Sequence, residues 1–174
     1  MSSSILAATL ADIPEINALV NGAYRGDSGR QGWTTEADLI DGTRIDENIL
    51  SNLIGREDTN VLLYRENDVL LGCVELRKEG YKLYLGMLSV SPLSQNKGIG
   101  KKLMAAAEIC AKDKGCTSIF MTVISVREEL LNWYQRHGYV LTGERKPFIV
   151  PDERWGKPKA KLEFLVLEKK LTNQ

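Results

Sequence analysis

Gln95-Asn96-Lys97-Gly98-Ile99-Gly100-Lys101 lies between an apolar stretch, residues 83–90, and a run from Leu103 in which Leu, Met and Ala recur at helical spacing. The order strand, glycine loop, helix decides how the rest of the chain is read. A helix N-terminus carries unpaired backbone N–H groups and roughly half a positive charge, so an anion settles there wherever the chain leaves room. Gly98 and Gly100 have no Cβ and both can turn the backbone inward, while Lys97, Lys101 and Lys102 place mobile cations around the same spot. The stretch reads as a phosphate cradle, with a plain tight turn as the competing reading. Its spacing excludes two commoner cradles. A dinucleotide fingerprint needs a third glycine where Lys102, Leu103 and Met104 stand, and a Walker loop needs Ser or Thr where Lys102 follows Gly100-Lys101.

Working outward, Leu103, Ala107, Cys110 and Ala111 share one helical face, and Lys114-Gly115 ends that helix. Residues 118–124 form a short, rich apolar run, the mark of a strand buried on both faces. Its connection to 83–90 through a helix makes a βαβ unit, which is parallel. Upstream, 61–64, 69–75 and 83–90 read as three strands joined by Glu66-Asn67-Asp68 and Glu79-Gly80, turns short enough for an antiparallel meander. Two further strands, near 139–142 and 162–167, complete a mixed sheet, with Pro147, Pro151 and Pro158 punctuating the segment that holds them apart. Near the start, Asp12 caps a first helix that runs through Val20 with Pro14 in its first turn. Gly22, Gly26, Gly29 and Gly32 then mark a loop. A second helix is expected from Thr35, which stands at capping-box separation from Asp38, with Leu39 opening its apolar face.

At 174 residues the chain suits one domain, spanning 1–174, with a single large core. Hydrophobic residues make up 43% and charged residues 26%, yet no apolar run approaches the ~20 residues a membrane helix needs, so a transmembrane reading is excluded. Met1-Ser2-Ser3-Ser4 lacks the basic start of a secretory signal, and the apolar residues after it are broken by Asp12 and Pro14, which points to the cytoplasm. Lys plus Arg equals Asp plus Glu at 23 each, so no net field draws the chain to nucleic acid or an anionic membrane. Cys73, Cys110 and Cys116 are odd in number, sit in apolar segments and lack C-x-x-C spacing, which suits buried thiols in a reducing compartment. No metal site is expected, since the sole histidine, His137, has no Cys/His/Asp cluster around it.

Gln-x-x-Gly-x-Gly at 95–100, following Leu88-Ser89-Val90-Ser91-Pro92, resembles the acetyl-coenzyme A loop of the GNAT family of N-acetyltransferases. Further along, Leu130-Leu131-Asn132-Trp133-Tyr134-Gln135-Arg136-His137-Gly138-Tyr139 resembles the family's fourth-helix motif, in which a tyrosine four residues before a Gly-aromatic pair faces the thioester. The two motifs stand in the family's order and spacing, and the resemblance runs from Ile5 to about Glu168. It implies the GNAT fold, an α/β (α+β) architecture with a mixed, mostly antiparallel sheet of about six to seven strands flanked by about four helices. It also implies acetyl-CoA as cosubstrate, no metal, no nucleic-acid or membrane partner, and a monomer or homodimer.

By matching position, the resemblance assigns the pyrophosphate to Gln95, Asn96, Lys97, Gly98, Ile99, Gly100 and Lys101. It assigns the pantetheine arm to strand backbone at Leu88, Ser89 and Val90, pairing much as an added strand pairs with a sheet edge, with Val90 or its neighbours polarising the thioester carbonyl. Arg127 stands where many relatives carry an asparagine against the cofactor, and that departure leaves its role open.

Acetyl transfer to an amine needs a fixed acyl donor, a deprotonated amine, an oxyanion donor and a proton source for the departing thiolate. Tyr134 is the expected proton donor, a packing tyrosine being the alternative; a phenol of pKa ~10 protonates a thiolate of pKa ~8.5 only with help from hydrogen bonding. The general base is harder to find. An amine of pKa about 10.4 is roughly one part in a thousand neutral at pH 7, so a carboxylate or water chain should take its proton. Tyr84 occupies the place where histone-acetylating relatives carry a catalytic glutamate, so no base stands there. Glu75, on the neighbouring strand, is the candidate if it faces the cleft, against the alternative of a solvated edge charge. His137, at a helix end, reads as a dipole partner.

Tyr24, Trp33 and Thr34, with Tyr84, are the expected acceptor wall, where aromatic rings could stack an organic cation. Equally, Trp33 could staple the second helix, and Arg25 or Arg30 bind a carboxylate. The sequence thus points to transfer of acetyl to a primary amine of a small or amino-acid-like molecule by direct attack in a ternary complex. The alternatives are acetylation of protein N-termini or lysines and, in another class, a non-catalytic acyl-CoA-binding module.

Overall fold

A computed structural model describes residues 2–24, 40–41, 45–95, 97–147, 157–158 and 163–171, with backbone alone for Tyr24, Ile40, Asp41, Lys157 and Pro158. The elements in chain order are β1 (Ser3–Ala7), α1 (Ile13–Tyr24), β2 (Ile40–Asp41), α2 (Glu47–Ile54), β3 (Thr59–Glu66), β4 (Val69–Glu79) and β5 (Lys82–Val90). They continue as α3 (Ile99–Asp113), β6 (Ser118–Ile124), α4 (Glu128–Arg136), β7 (Val140–Pro147), β8 (Lys157–Pro158) and β9 (Glu163–Lys170). The central sheet has seven strands in the order β1-β3-β4-β5-β6-β9-β7, and β2 and β8 pair separately. All its pairings are antiparallel except β5 with β6, as the βαβ reading requires.

Local chemistry explains the turns. Between β3 and β4, Asn67 and Asp68 both take left-handed backbone, at φ 50° and 68°. That pair of conformations matches the twist of a tight hairpin, and short polar side chains tolerate it best. Gly115, at φ 73°, closes α3 as expected.

Burial divides by face. Ile13, Ile16, Val20 and Ala23 of α1 and Leu50 of α2 pack on Val61, Leu63, Cys73 and Met87 of the sheet. On the other face Ile99, Leu103, Met104, Ala107 and Ala111 of α3, with Leu131 and Tyr134 of α4, cover Val74, Leu76, Leu83, Leu85 and Ile119. Strand alternation thus feeds two cores, each closed by a pair of helices. Of the three cysteines, all free thiols, Cys73 and Cys116 are buried, whereas Cys110 is only partly so.

Three expectations change. The sheet begins with β1, a strand with no sequence signal of its own. Asp12 does not cap α1 directly. It closes a 3-10 turn over Leu10–Asp12, where its Oδ2 accepts from the Thr9 N–H at 2.8 Å and hydroxyl at 3.1 Å. The helix expected from Thr35 lies outside the described residues, but Ile40–Asp41 is a strand, and the helix that follows starts at Glu47. There Asp46 accepts from the Ile49 N–H at 2.9 Å, an ordinary N-cap. Among the described residues no helix is long and apolar enough to cross a membrane.

Asp12 also binds Arg65 at 2.9 Å, and Arg65 reaches Glu15 at 3.0 Å, tying α1 to β3. The Thr9 N–H, with Arg65 adding to it, holds the Asp12 carboxyl below its ordinary 3.8. A depressed carboxylate stabilises the fold above its unfolded pKa, and the gain disappears as pH falls through the folded value. Asp12→Asn should therefore cost about 1–2 kcal/mol at pH 7, and the gap to the parent should close by pH 2. Urea unfolding at both pH values checks this; an equal gap at both would show that the charge of Asp12 contributes nothing.

Candidate active site

β5 and β6 pair only where Lys82, Leu83 and Tyr84 meet Ser118, Ile119 and Phe120. Beyond Tyr84 they part: β6 continues against β9 to Ile124, and β5 continues against β4 to Val90. Residues 85–90 thus keep one strand edge without a strand neighbour among the described residues. A bulge sharpens the parting. Cys73 pairs with Ser89 but Glu75 pairs with Gly86, so β5 carries one residue more than β4 here, and Met87 takes φ 54°. A left-handed non-glycine residue costs on the order of 1–3 kcal/mol and persists only where its surroundings fix it. Bulges of this kind turn a strand and re-aim what it presents.

At the mouth of the opening, Gln95 Nε2 donates to the Val90 carbonyl at 3.3 Å, which pins the glycine loop to the strand end. Gly98 is the N-cap of α3 in left-handed backbone, φ 77°, and no side chain caps the helix. The first-turn N–H groups therefore have no capping acceptor in front of them. Ile99 roots the turn in the core at 2% exposure. Gly100 lies within the helix and does not turn the chain; a Cβ there would stand 3.4 Å from the Trp133 ring and 3.9 Å from Val90 Cγ2. Lys97, Lys101 and Lys102 are all exposed, and Lys102 places its Nζ 5.5 Å over the Tyr64 ring. Asn96 lies outside the described residues. Leu88 is buried in the α3 and α4 core, and the Ser89 hydroxyl donates to the Met87 carbonyl at 3.0 Å. The strand end offers its backbone rather than these side chains.

Across the opening, Arg127 stands at the N-cap of α4, buried to 9%, with its N–H donating to the Ile124 carbonyl at 3.0 Å. Tyr134 is 5% exposed and lies edge-on to Trp133 at 5.2 Å and to Tyr139 at 6.0 Å. Tyr139 buries its hydroxyl without a hydrogen-bond partner, and burial pushes its phenol well above the ordinary tyrosine range. His137 donates Nδ1–H to the Trp133 carbonyl at 2.7 Å and stacks on that indole at 4.2 Å, the helix-end role expected of it.

On the face covered by α1 and α2, Glu75 is 8% exposed, which rules out the solvated edge charge. Its Oε2 accepts from Arg77 Nη1 at 3.2 Å, and the Arg77 guanidinium lies 4.7 Å over the Tyr84 ring. Tyr84 in turn meets Phe120 at 5.5 Å. Phe120 also lines a cavity of about 340 Å³ with Lys82, Thr142, Glu144, Lys146 and Val166.

The structure therefore gathers Val90, Gln95, Gly98, Ile99, Gly100 and Tyr134 around one side of the parting, with Lys97 and Lys101 exposed at the same helix start and Arg127 at the C-terminal end of β6. Glu75 and Tyr84 are joined through Arg77 on the other side. Trp33 and Thr34 lie outside the described residues, and Tyr24 ends α1 with its side chain undescribed. Arg77, Gly86 and Phe120 were not anticipated, although strand alternation puts Arg77 on the same face as Glu75.

The model of the acetyltransferase (GNAT) family matches residues 24–139. The chain belongs to the GNAT acetyltransferase family. It is an acetyl-CoA-dependent N-acetyltransferase. No curated protein matches it by sequence. Among solved structures, the ribosomal-protein-S18-alanine N-acetyltransferase of Escherichia coli superposes with TM-score 0.74 at 10% identity, covering 99% of this chain and 96% of that one. The PaiA N-acetyltransferase of Thermoplasma acidophilum, solved with coenzyme A, gives 0.70 at 20% identity over 98% and 100% of the two chains. The yncA protein of Salmonella typhimurium, solved with acetyl-CoA, gives 0.71 at 21% identity over 100% and 96%. At these identities the likeness is one of fold.

An extended strand edge beside an uncapped helix start and exposed lysines fits an elongated, phosphate-bearing thioester. Gly100→Glu sets an anion where that phosphate would sit. In the parent, coenzyme A at a hundred times its Kd should add about 2.7 kcal/mol of stability. The variant should fold and lose the coenzyme-induced rise in melting temperature; an undiminished rise would displace the cofactor from this turn.

Proposed function

We propose that the acceptor is a primary amine of a small, amino-acid-like molecule, acetylated by direct attack in a ternary complex. The observation that carries this reading is the parting of β5 from β6 just beyond Tyr84, which leaves the β5 edge over residues 85–90 without a strand neighbour among the described residues. Acetyl-CoA supplies the activated acyl group. Backbone at Leu88, Ser89 and Val90 would align it, with the α3 turn from Gln95 to Lys101 and Arg127 holding its charged end. Tyr134 would protonate the departing sulfur, because it packs edge-on against Trp133, whose ring lies beside Gly100 at the start of α3. Glu75 would accept the proton of the amine from the opposite face, where Tyr84, with Tyr24, Trp33 and Thr34, would help receive the acceptor.

Two features favour an amino-acid-like acceptor over a protein. The cavity beyond Phe120 carries both signs of charge, with Glu144 and Lys146 two residues apart on β7. The antiparallel pairing of β2 with β8 also joins the α1–α2 connection to the β7–β9 connection, a bridge that would restrict the acceptor side to compact molecules. An amine panel with mass detection of acetylated product tests the class.

Tyr134→Phe keeps the ring and removes the hydroxyl. It should lower kcat by ~10²-fold or more with coenzyme affinity and melting temperature preserved. Single-turnover rates within a few-fold of the parent would make Tyr134 a packing residue and leave the sulfur to be protonated by water.

A further inference from the structure

Gly86 is where the acceptor face departs from a plain sheet surface. A Cβ built there would stand 2.6 Å from Tyr84 Cε2 and 2.7 Å from its hydroxyl oxygen, separations that real Cβ atoms do not tolerate. The missing side chain lets the Tyr84 ring fold forward along its own strand until its hydroxyl lies over Gly86. Gly86 is the residue opposite Glu75 in the β4–β5 register, and side chains at directly opposed positions start about 5 Å apart. The phenol is therefore delivered to the buried carboxylate by a glycine. Arg77 closes the triangle, since the same guanidinium binds Glu75 Oε2 at 3.2 Å and covers the Tyr84 ring at 4.7 Å. Phe120, 5.5 Å away, supports the ring from β6 at the last pair before the strands part.

Resting on the function proposed above, we propose that Tyr84 is a catalytic proton relay, taking the proton of the acceptor amine at its hydroxyl oxygen while passing its own to Glu75. Tyr84 stands at the edge of the opening and presents an oxygen there; Glu75 lies deeper and is already bonded to Arg77. An alkylammonium of pKa about 10.4 is a far weaker acid than a carboxylic acid of pKa about 4.3, so passage through the phenol to Glu75 is uphill by about six units and is drawn forward by loss of the proton from Glu75 to solvent and by attack of the freed nitrogen on the thioester. The proton count closes as follows. The ammonium proton goes through Tyr84 to Glu75 and on to solvent. The freed nitrogen lone pair forms the C–N bond as the C–S bond breaks. Tyr134 protonates the sulfur and recovers the second proton that nitrogen sheds, so one proton is released per turnover. Arg77 and Gly86 are positioning residues.

The test uses the full chain with acetyl-CoA and the primary amine it acetylates fastest. Tyr84→Phe preserves the ring, the Arg77 stack and the Phe120 contact. It should lower kcat/KM by ~10²-fold at pH 7, and the deficit should shrink as pH rises toward the pKa of the amine, where the relay is no longer needed. Gly86→Ala removes no titrating group but displaces the ring, and should give the same pH-dependent deficit. In the protein without ligands, the ¹³Cζ resonance of labelled Tyr84 should shift as Glu75 titrates, and should not in Glu75→Gln. A Tyr84→Phe rate within threefold of the parent, a deficit constant with pH, or a Tyr84 resonance indifferent to Glu75 would each overturn the relay. If the parent releases no coenzyme A with any amine, the proposed function fails first and the relay with it.

Discussion

A strand hydrogen-bonded on both edges has nothing left to offer a ligand, and β5 escapes that condition over half its length. It pairs with β4 on both sides of the bulge at Met87 but with β6 only up to Tyr84. An extended molecule can pair with a strand edge that has no strand neighbour as a further strand would. Keeping the edge open works against the tendency of a sheet to close, so the parting must be held from outside. The left-handed Met87, buried at 4%, does this from one face with α1 behind it. Ile99 and Leu103 of α3, both within 2% of full burial, hold the other. The two proposed sides of the site are thus the two faces of one stretch of β5 that has left β6.

Much of this was legible in the sequence because the signals are short-range. The glycine loop, the Asn67-Asp68 turn, the Gly115 stop and the apolar run of β6 each depend on a few neighbouring residues, and each formed the expected local structure. The parallel unit followed from connection length alone. What escaped reading depends on contacts distant in sequence. β1 is five residues with no fully buried position, and only pairing with β3 makes it a strand. Asp46 was not singled out as a cap, because a cap is recognised by the helix after it.

The acceptor face was the least legible part. Glu75 was singled out for its carboxylate, but whether it is solvated or buried depends on what the fold packs over β4, which its local sequence does not record. Gly86 carried no signal at all, since its absent side chain matters only to Tyr84 two residues earlier. Gly98 and Gly100 looked equivalent and are not: left-handed backbone selects glycine at the first, whereas the second is helical and a Cβ there would meet Trp133 at ordinary contact distance.

The position of β9 has a consequence for biosynthesis. It lies between β6 and β7, and β7 touches the sheet through β9 alone. A chain emerging N-terminus first can pair β3, β4 and β5 as they appear and lay α3 across them while translation continues. β7 must wait, exposed along its length, until β9, which is made after it, slides in beside it. That interval, when an unpaired edge can meet another nascent chain, is where this fold is most open to misassembly.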